Sequence, residues 1–532
     1  MSLASHLVER FLRLPAPHTR EVNVHRDQRI PMPDGAVLLA DHWTPAHAPG
    51  ELPTVLVRCP YGRRGAMIDN GIGRVFAERG FQVLVVSTRG TFGSGGEFAP
   101  QVNEREDGLA VLDWLEQQPW YDGRVVLFGP SYLGFTQWAI AVDAPQVKAM
   151  VPQVTSARLT IGFTRPYSLD GLFRWSVQTA TQEQSFAVLR SRLRERAVVR
   201  AMNTAPLGEA DLRVLGRRWP FFAETLAHGP DDPHWARGDL GATVEEVRIP
   251  ASFVAGWYDL FAGDQLEEYR RLVGAGTPAR LTVGPWVHGA MGGIRAALRE
   301  GLDWAGAHAR GEQPAQRAPV RLFVMGQNRW RDFESWPPPG YSPTPYHLHG
   351  DGRLGTEQPE DNEPSRYRYD PADPTPSVGG PLLTARKGAF DQRKLEERPD
   401  VLTFSTAPLT AELEVIGEVT AKVWLRSSRP DTDVFVRLCD VDRRGHSTNI
   451  CDALVNVRPD GITPVELRLS PTAYRFRIGH RIRVQVSSGA HPRFARNPGS
   501  GEPLATALSL HPADQELFHD REHPSTVTLP QA

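Results

Sequence analysis

The sequence predicts an α/β fold with a largely parallel sheet, followed by a separate region of short strands. Three observations carry this. Strand-length apolar runs at 53–59, 81–86, 249–256, 279–284 and 320–325 alternate with helix-period segments, a pattern that demands crossover connections and a sheet covered on both faces. At Gly123–Trp138 another such run breaks at Gly129-Pro130-Ser131 and turns helical at once. Beyond residue 345 helical periodicity stops, and short alternating strands separated by turn clusters take over, as in a β-sandwich or jelly roll.

A chain of 532 residues is too long for one core, so about two or three domains are expected. Hydrophobic residues make up 40% and charged residues 23%, as in ordinary soluble globular proteins. The net charge of −2 gives no general attraction to nucleic acid or to an anionic membrane, and neither partner is expected. The arginines of 190–200 share a helical segment with Glu195 and read as a solvated face. Cys59, Cys439 and Cys451 have no metal-ligand spacing and are odd in number, which favours free thiols in a reducing compartment. The segment Met1–Phe11 does not read as a signal peptide, and no run approaches about 18 apolar residues; cytoplasm is the expectation.

In chain order, Asp34-Gly35 joins two strand-like runs within 21–43 and signals a hairpin. The run 53–59 ends in Pro60-Tyr61-Gly62, and a helix around Arg74–Arg79 stops at Gly80. The strand 81–86 opens into the loop Ser87–Phe98, which is Gly-rich but lacks the lysine and spacing of a phosphate cradle. Leu109, Leu112 and Leu115 mark the helix 104–118. Residues 153–243 break the rhythm: amphipathic stretches carry Phe163, Tyr167, Phe173, Trp175, Trp219, Phe221 and Phe222, as in a helical insertion lying over an active site. Alternation resumes with the strand 249–256, a helix at 265–273 and the strand 279–284, and Pro337–Gly340 marks a boundary.

Strand, tight turn, serine and helix form the context of a nucleophile elbow, in which a strained turn pushes the serine oxygen out of the sheet. Gly129 fits the usual G-x-S-x-G, whereas Leu133 stands where the second glycine belongs and Gly134 comes one place late. The competing reading is a serine that caps the following helix. A serine nucleophile needs a base, and the base needs an orienting acid. Asp259 and His288 each follow a later strand, in the order and on the sheet edge that such a site requires. Asp264 is the rival acid, although it is better placed as a cap for the helix 265–273. The Ser131 hydroxyl is then expected within about 3.2 Å of a His288 ring nitrogen. Oxyanion donors would be the Tyr132 backbone N–H and, with no glycine run after the strand 53–59, the Tyr61 hydroxyl.

Gly129-Pro-Ser-Tyr-Leu-Gly134, Arg58-Cys-Pro-Tyr61, Thr88-Arg-Gly90, Gly256-Trp-Tyr-Asp259 and Gly284-Pro-Trp-Val-His288 together resemble the cocaine esterase family. Val320–Gly326, Trp336–Pro339, Tyr369–Pro374 and Gln485–Ser488 extend the resemblance over nearly the whole chain; it is weakest in the helical insertion. That family is related to bacterial X-Pro dipeptidyl-peptidases and α-amino acid ester hydrolases. The resemblance implies an α/β-hydrolase core (1–152 and 244–345), a helical cap (153–243) and a C-terminal jelly roll (346–532). It implies the triad Ser131, Asp259 and His288, with Tyr61 and Tyr132 as oxyanion donors, and accounts for the displaced glycine, since the family pattern is G-x-S-Y-x-G.

The expected function is serine-dependent hydrolysis of carboxylic esters, extending to amides, on a small-molecule ester or short peptide and without metal or organic cofactor. A homodimer is compatible with the sequence. The alternative is release of X-Pro dipeptides or hydrolysis of α-amino acid esters, for which Glu183, Asp231 and Asp232 are candidate partners of a substrate ammonium. The rival from another class is a binding protein with an inactive hydrolase half, which would lack a triad member; none is missing.

Overall fold

The structure is a computed structural model and describes residues 3–47, 50–159, 166–229, 232–236, 238–384 and 386–532. Its first sheet has ten strands: β1 (Val22–Pro31), β2 (Val37–Pro45), β3 (Thr54–Cys59), β4 (Gln82–Ser87), β5 (Val125–Pro130), β6 (Val147–Gln153), β7 (Ala251–Tyr258), β8 (Ala279–Val287), β9 (Val320–Val324) and β10 (Arg329–Phe333). Their spatial order is β1-β2-β4-β3-β5-β6-β7-β8-β9-β10. The hairpin expected at Asp34-Gly35 pairs β1 with β2. There Gly35 takes φ 86° and the Asp34 carboxylate accepts from the Ala36 N–H at 3.1 Å. Strand β2 is antiparallel to β4, and every neighbouring pair from β4 to β9 is parallel.

Alternation explains why these strands read as unbroken apolar runs. Val55, Val57, Val83, Val85, Val126 and Phe128 lie in one buried cluster, while Leu56, Leu84, Leu127 and Phe253 lie in another. Successive side chains point to opposite faces, and helices cover both. The helices of the core are α1 (Leu3–Leu12), α2 (Gly73–Ala77), α3 (Glu104–Glu116) and α4 (Tyr132–Trp138). Then come α5 (Leu169–Thr181), α6 (Ala187–Ala201), α7 (Ala210–Leu215) and α8 (Pro220–Ala227), all between β6 and β7, followed by α9 (Ala262–Gly274) and α10 (Met291–Glu300). Phe76 and Leu298 close the first face; Leu112, Leu115, Trp138 and Leu272 close the second. Each such side chain, once buried, contributes about 1.5–3 kcal/mol.

The inserted helices have a core of their own, in which Leu169, Phe173, Val177, Val198, Phe221 and Phe222 pack together. Phe163 lies outside the described residues. Beyond 340 the chain is β-rich, with an antiparallel sheet of nine strands and another of four. Val423, Leu425 and Leu517 of the larger sheet share a buried cluster with Val434, Val436 and Val484 of the smaller. Residues 413–427 form two of these short strands, Leu413–Gly417 and Thr420–Ser427. Among the described residues, no helix is long and apolar enough to cross a membrane. All three cysteines are buried and unbridged.

Candidate active site

Ser131 occupies the turn between β5 and α4 with φ 57° and ψ −123°, a conformation that costs a non-glycine residue about 1–3 kcal/mol and persists only when its surroundings enforce it. Here the Ser131 N–H donates to the Gln153 carbonyl at 2.8 Å. The Ser131 carbonyl accepts from the Thr155 hydroxyl at 2.7 Å and from the Gly134 N–H at 2.8 Å. The Ser131 side chain makes no capping bond to α4, so the capping alternative fails. The displaced glycine has a steric cause. A β-carbon on Gly134 would lie 2.5 Å from the Thr155 side chain, and one on Gly129 would lie 2.4 Å from the Leu133 β-carbon. Bare α-carbons at 129 and 134 therefore let Leu133 fold back into the core and α4 press against the end of β6.

Strand β7 runs two residues further than expected, so Asp259 is the first residue beyond it; His288 likewise directly follows β8. Asp259 is fully buried at its side chain, and its Oδ2 lies 2.9 Å from His288 Nδ1. A carboxylate only accepts, so Nδ1 carries the proton and Nε2 is left as the basic nitrogen. The other carboxylate oxygen of Asp259 accepts from the Phe261 N–H at 3.0 Å. Asp264 is a correction to the reading of it as a cap. Helix α9 begins at Ala262, so Asp264 lies exposed within its first turn and lines a different cavity.

A cavity of about 310 Å³ brings Ser131, His288, Tyr61 and Tyr132 together. Ser131 and His288 share its wall without a hydrogen bond between them, so the expected close approach is not made here; such contacts often tighten only in the substrate complex. The Tyr61 phenol lines the same cavity as Ser131 and accepts from Trp175 Nε1 at 2.9 Å. Burial pushes its pKa well up, against the pull of the Trp175 indole and of Ser131; it stays a protonated donor. The Tyr132 phenol is turned away from the cavity. It accepts from the Gln101 N–H and donates to Glu104 Oε1, both at 2.8 Å. Glu104 Oε2 in turn accepts from Arg58 at 2.5 Å. Tyr132 lines the cavity, and its backbone N–H, first in α4, has no intrahelical partner.

The remaining walls include Leu159, Leu172, Trp175, Phe221, Leu260, Phe261, Ile294, Met67 and Leu383, with Gln153 and Gln178 as polar side chains. Apart from His288, no ionisable nitrogen or carboxylate side chain lines it among the described residues. The proposed ammonium partners are corrected accordingly. Glu183 is exposed and off the cavity. Asp232 is held by His228 at 2.9 Å and by the His234 N–H at 2.8 Å. Asp231 lies outside the described residues. Sequence reasoning missed Lys387, whose ammonium donates to the His288 carbonyl at 2.9 Å, and Leu383, which reaches the cavity from the β-rich region. No local motif marks either one.

An elbow serine, a buried acid–histidine pair beyond later strands and an α/β sheet in this order define a serine hydrolase of the α/β-hydrolase fold. Residues 34–290 match the X-Pro dipeptidyl-peptidase (S15) family, and residues 314–528 match the X-Pro dipeptidyl-peptidase C-terminal non-catalytic domain. The chain is 34% identical to the cocaine esterase of Rhodococcus sp. strain MB1 Bresler, over 94% of this chain and 97% of that one. Among solved structures it is similar to an aminopeptidase from a marine sediment Thaumarchaeota archaeon, with TM-score 0.80, 22% identity and coverage of 97% of both chains. An α-amino acid ester hydrolase gives TM-score 0.80 at 21% identity, covering 98% of both chains. The chain belongs to the cocaine esterase family, within the S15 peptidase relatives, and is a serine hydrolase of esters.

Proposed function

We propose that this enzyme cleaves esters of neutral, bulky apolar acyl groups through an acyl-enzyme on Ser131. The observation that carries the reading is the 2.9 Å pairing of buried Asp259 with His288 on the wall of the cavity that Ser131 enters. His288 Nε2 takes the Ser131 proton as Oγ attacks the ester carbonyl. The tetrahedral oxyanion accepts from the Tyr61 hydroxyl and the Tyr132 N–H, and Asp259 stabilises the imidazolium. Collapse expels the alcohol, which leaves with the proton from His288. Water, deprotonated by the same nitrogen, then attacks the acyl-enzyme and releases the acid and Ser131.

Apolar walls of Trp175, Phe221, Phe261 and Leu172 support an aromatic or branched acyl group, and the lack of a carboxylate among the described lining residues leaves a substrate ammonium without a partner. The relative's printed name makes it an esterase for cocaine; for this chain the same chemistry is inferred for esters of that acyl class. Two measurements test the reading. A fluorophosphonate should label Ser131 stoichiometrically, and full labelling of Ser131→Ala would sink it. p-Nitrophenyl benzoate and butyrate should be turned over well ahead of Ala-Pro- and Gly-Pro-p-nitroanilide; the reverse preference would return the enzyme to the peptidase branch.

A further inference from the structure

We propose that Trp175, carried by the inserted helix α5, is a positioning residue for the Tyr61 hydroxyl, so that the oxyanion hole is complete only when the helical insertion is docked. The inference rests on the reading of Tyr61 as an oxyanion donor. Trp175 Nε1 lies 2.9 Å from the Tyr61 hydroxyl oxygen. An indole N–H can only donate, so the phenol oxygen accepts and its own proton must be directed elsewhere. Ser131 lines the same cavity as Tyr61, on the side left open to that proton. With one side of the oxygen taken by the indole, the O–H is held toward the Ser131 side, where the oxyanion forms. A donor on the phenol oxygen also polarises the O–H and strengthens it as a donor in turn.

The indole is itself immobilised. It stacks on the Tyr132 ring at 5.7 Å and 16°, and it meets Phe221 edge-on at 5.0 Å and 73°. Gln182, at the C-terminal end of α5, adds a second tie by donating to the Pro60 carbonyl at 2.7 Å. Two hydrogen bonds from one helix thus clamp the Pro60-Tyr61 turn to the insertion. Among the described residues, Trp175 is also part of the cavity wall. A packing role there would act on substrate affinity, whereas a role through Tyr61 acts on turnover.

The test is a double-mutant cycle on p-nitrophenyl butyrate with Trp175→Phe, Tyr61→Phe and the pair, reading kcat and KM separately. Trp175→Phe should lower kcat about 5–30-fold with KM within about twofold, a part of the loss expected for removing an oxyanion donor outright. In the Tyr61→Phe background the same substitution should do nothing further to kcat. A phenylboronic acid, whose tetrahedral adduct puts an oxygen in the hole, should bind Trp175→Phe more weakly by a similar factor. Should Trp175→Phe not fold, benzothienylalanine at 175, which keeps the ring shape without the N–H, takes its place. An equal loss in both backgrounds, or a change in KM alone, overturns the proposal and leaves the Tyr61 reading intact. No loss in Tyr61→Phe itself overturns both.

Discussion

The carboxyl edge of the sheet and the inserted helices meet at one cavity but contribute to it in different ways. Tyr61, Ser131, Asp259 and His288 come from turns one or two residues beyond β3, β5, β7 and β8. Leu172, Trp175 and Phe221 come from the faces of α5 and α8. A strand buried on both faces has its register set by two cores at once, so the residue that follows it is held to a fixed place. A helix face is set by periodicity and by whatever it packs on. On the proposed reading the chemistry belongs to the sheet edge and the choice of substrate to the insertion, and the hydrogen bonds of Trp175 and Gln182 to the Pro60-Tyr61 turn join the two.

The largest effect that would break this division is at the acid. Asp259→Asn should lower kcat by about 10⁴-fold, as loss of the triad acid does in serine proteases, because His288 loses its tautomer and its counter-charge together. Asp264→Asn should stay near wild type, since Asp264 lines a different cavity and the Nδ1 of His288 is taken by Asp259. Steady-state kinetics of the two variants decide it, and an active Asp259→Asn beside a dead Asp264→Asn would move the acid. Next in size is Tyr61→Phe, which keeps the ring and deletes the donor. It should lose about 10²–10³-fold in kcat with KM little changed and stability near wild type. Unchanged kcat would leave Tyr61 as a packing residue.

What was legible in the sequence follows the same division. Strand runs, the elbow and the two later polar residues could be read because burial on both faces writes long apolar runs, and because Ser131, Asp259 and His288 stand just past their ends. Strand ends were less legible: β7 and β8 continue two or three residues past the apolar runs, through Tyr258 and Val287, because aromatic and proline-containing segments still pair there. Helix α9 starts three residues early, which displaces Asp264 from its expected cap. The ties from Trp175, Gln182 and Lys387 were not legible at all, since each joins residues about a hundred positions apart along the chain.

A smaller effect separates the two roles of Tyr132. Its N–H, first in α4, is the proposed oxyanion donor, while its phenol is bonded to Gln101 and Glu104. Burial pushes the Glu104 carboxyl up, against the pull of Arg58 and of Tyr132 itself. Tyr132→Phe takes a donor from that buried carboxyl and an acceptor from the Gln101 N–H. It should cost about 1–3 kcal/mol in urea unfolding, with kcat within a few-fold of wild type. A catalytic loss without destabilisation would show the phenol, and not the amide, serving the reaction.

The smallest effect tests the insertion's side of the division. Gln178 is an exposed polar residue of α5 on the cavity wall, and no carboxylate lines the cavity among the described residues. Gln178→Glu supplies one with nearly the same shape. If acyl groups extend toward α5, a substrate bearing an α-ammonium gains a partner that its uncharged analogue cannot use. An exposed ion pair is worth about 0.2–1 kcal/mol, so kcat/KM for p-nitrophenyl 2-aminobutyrate relative to butyrate should rise only about 1.5–5-fold. The kcat for butyrate should hardly move, because the sheet-edge residues are untouched. The gain should also shrink in about 1 M salt, where the screening length falls to about 3 Å. A ratio that stays fixed at low salt would mean that the acyl group points away from α5 and that selectivity is set on another wall.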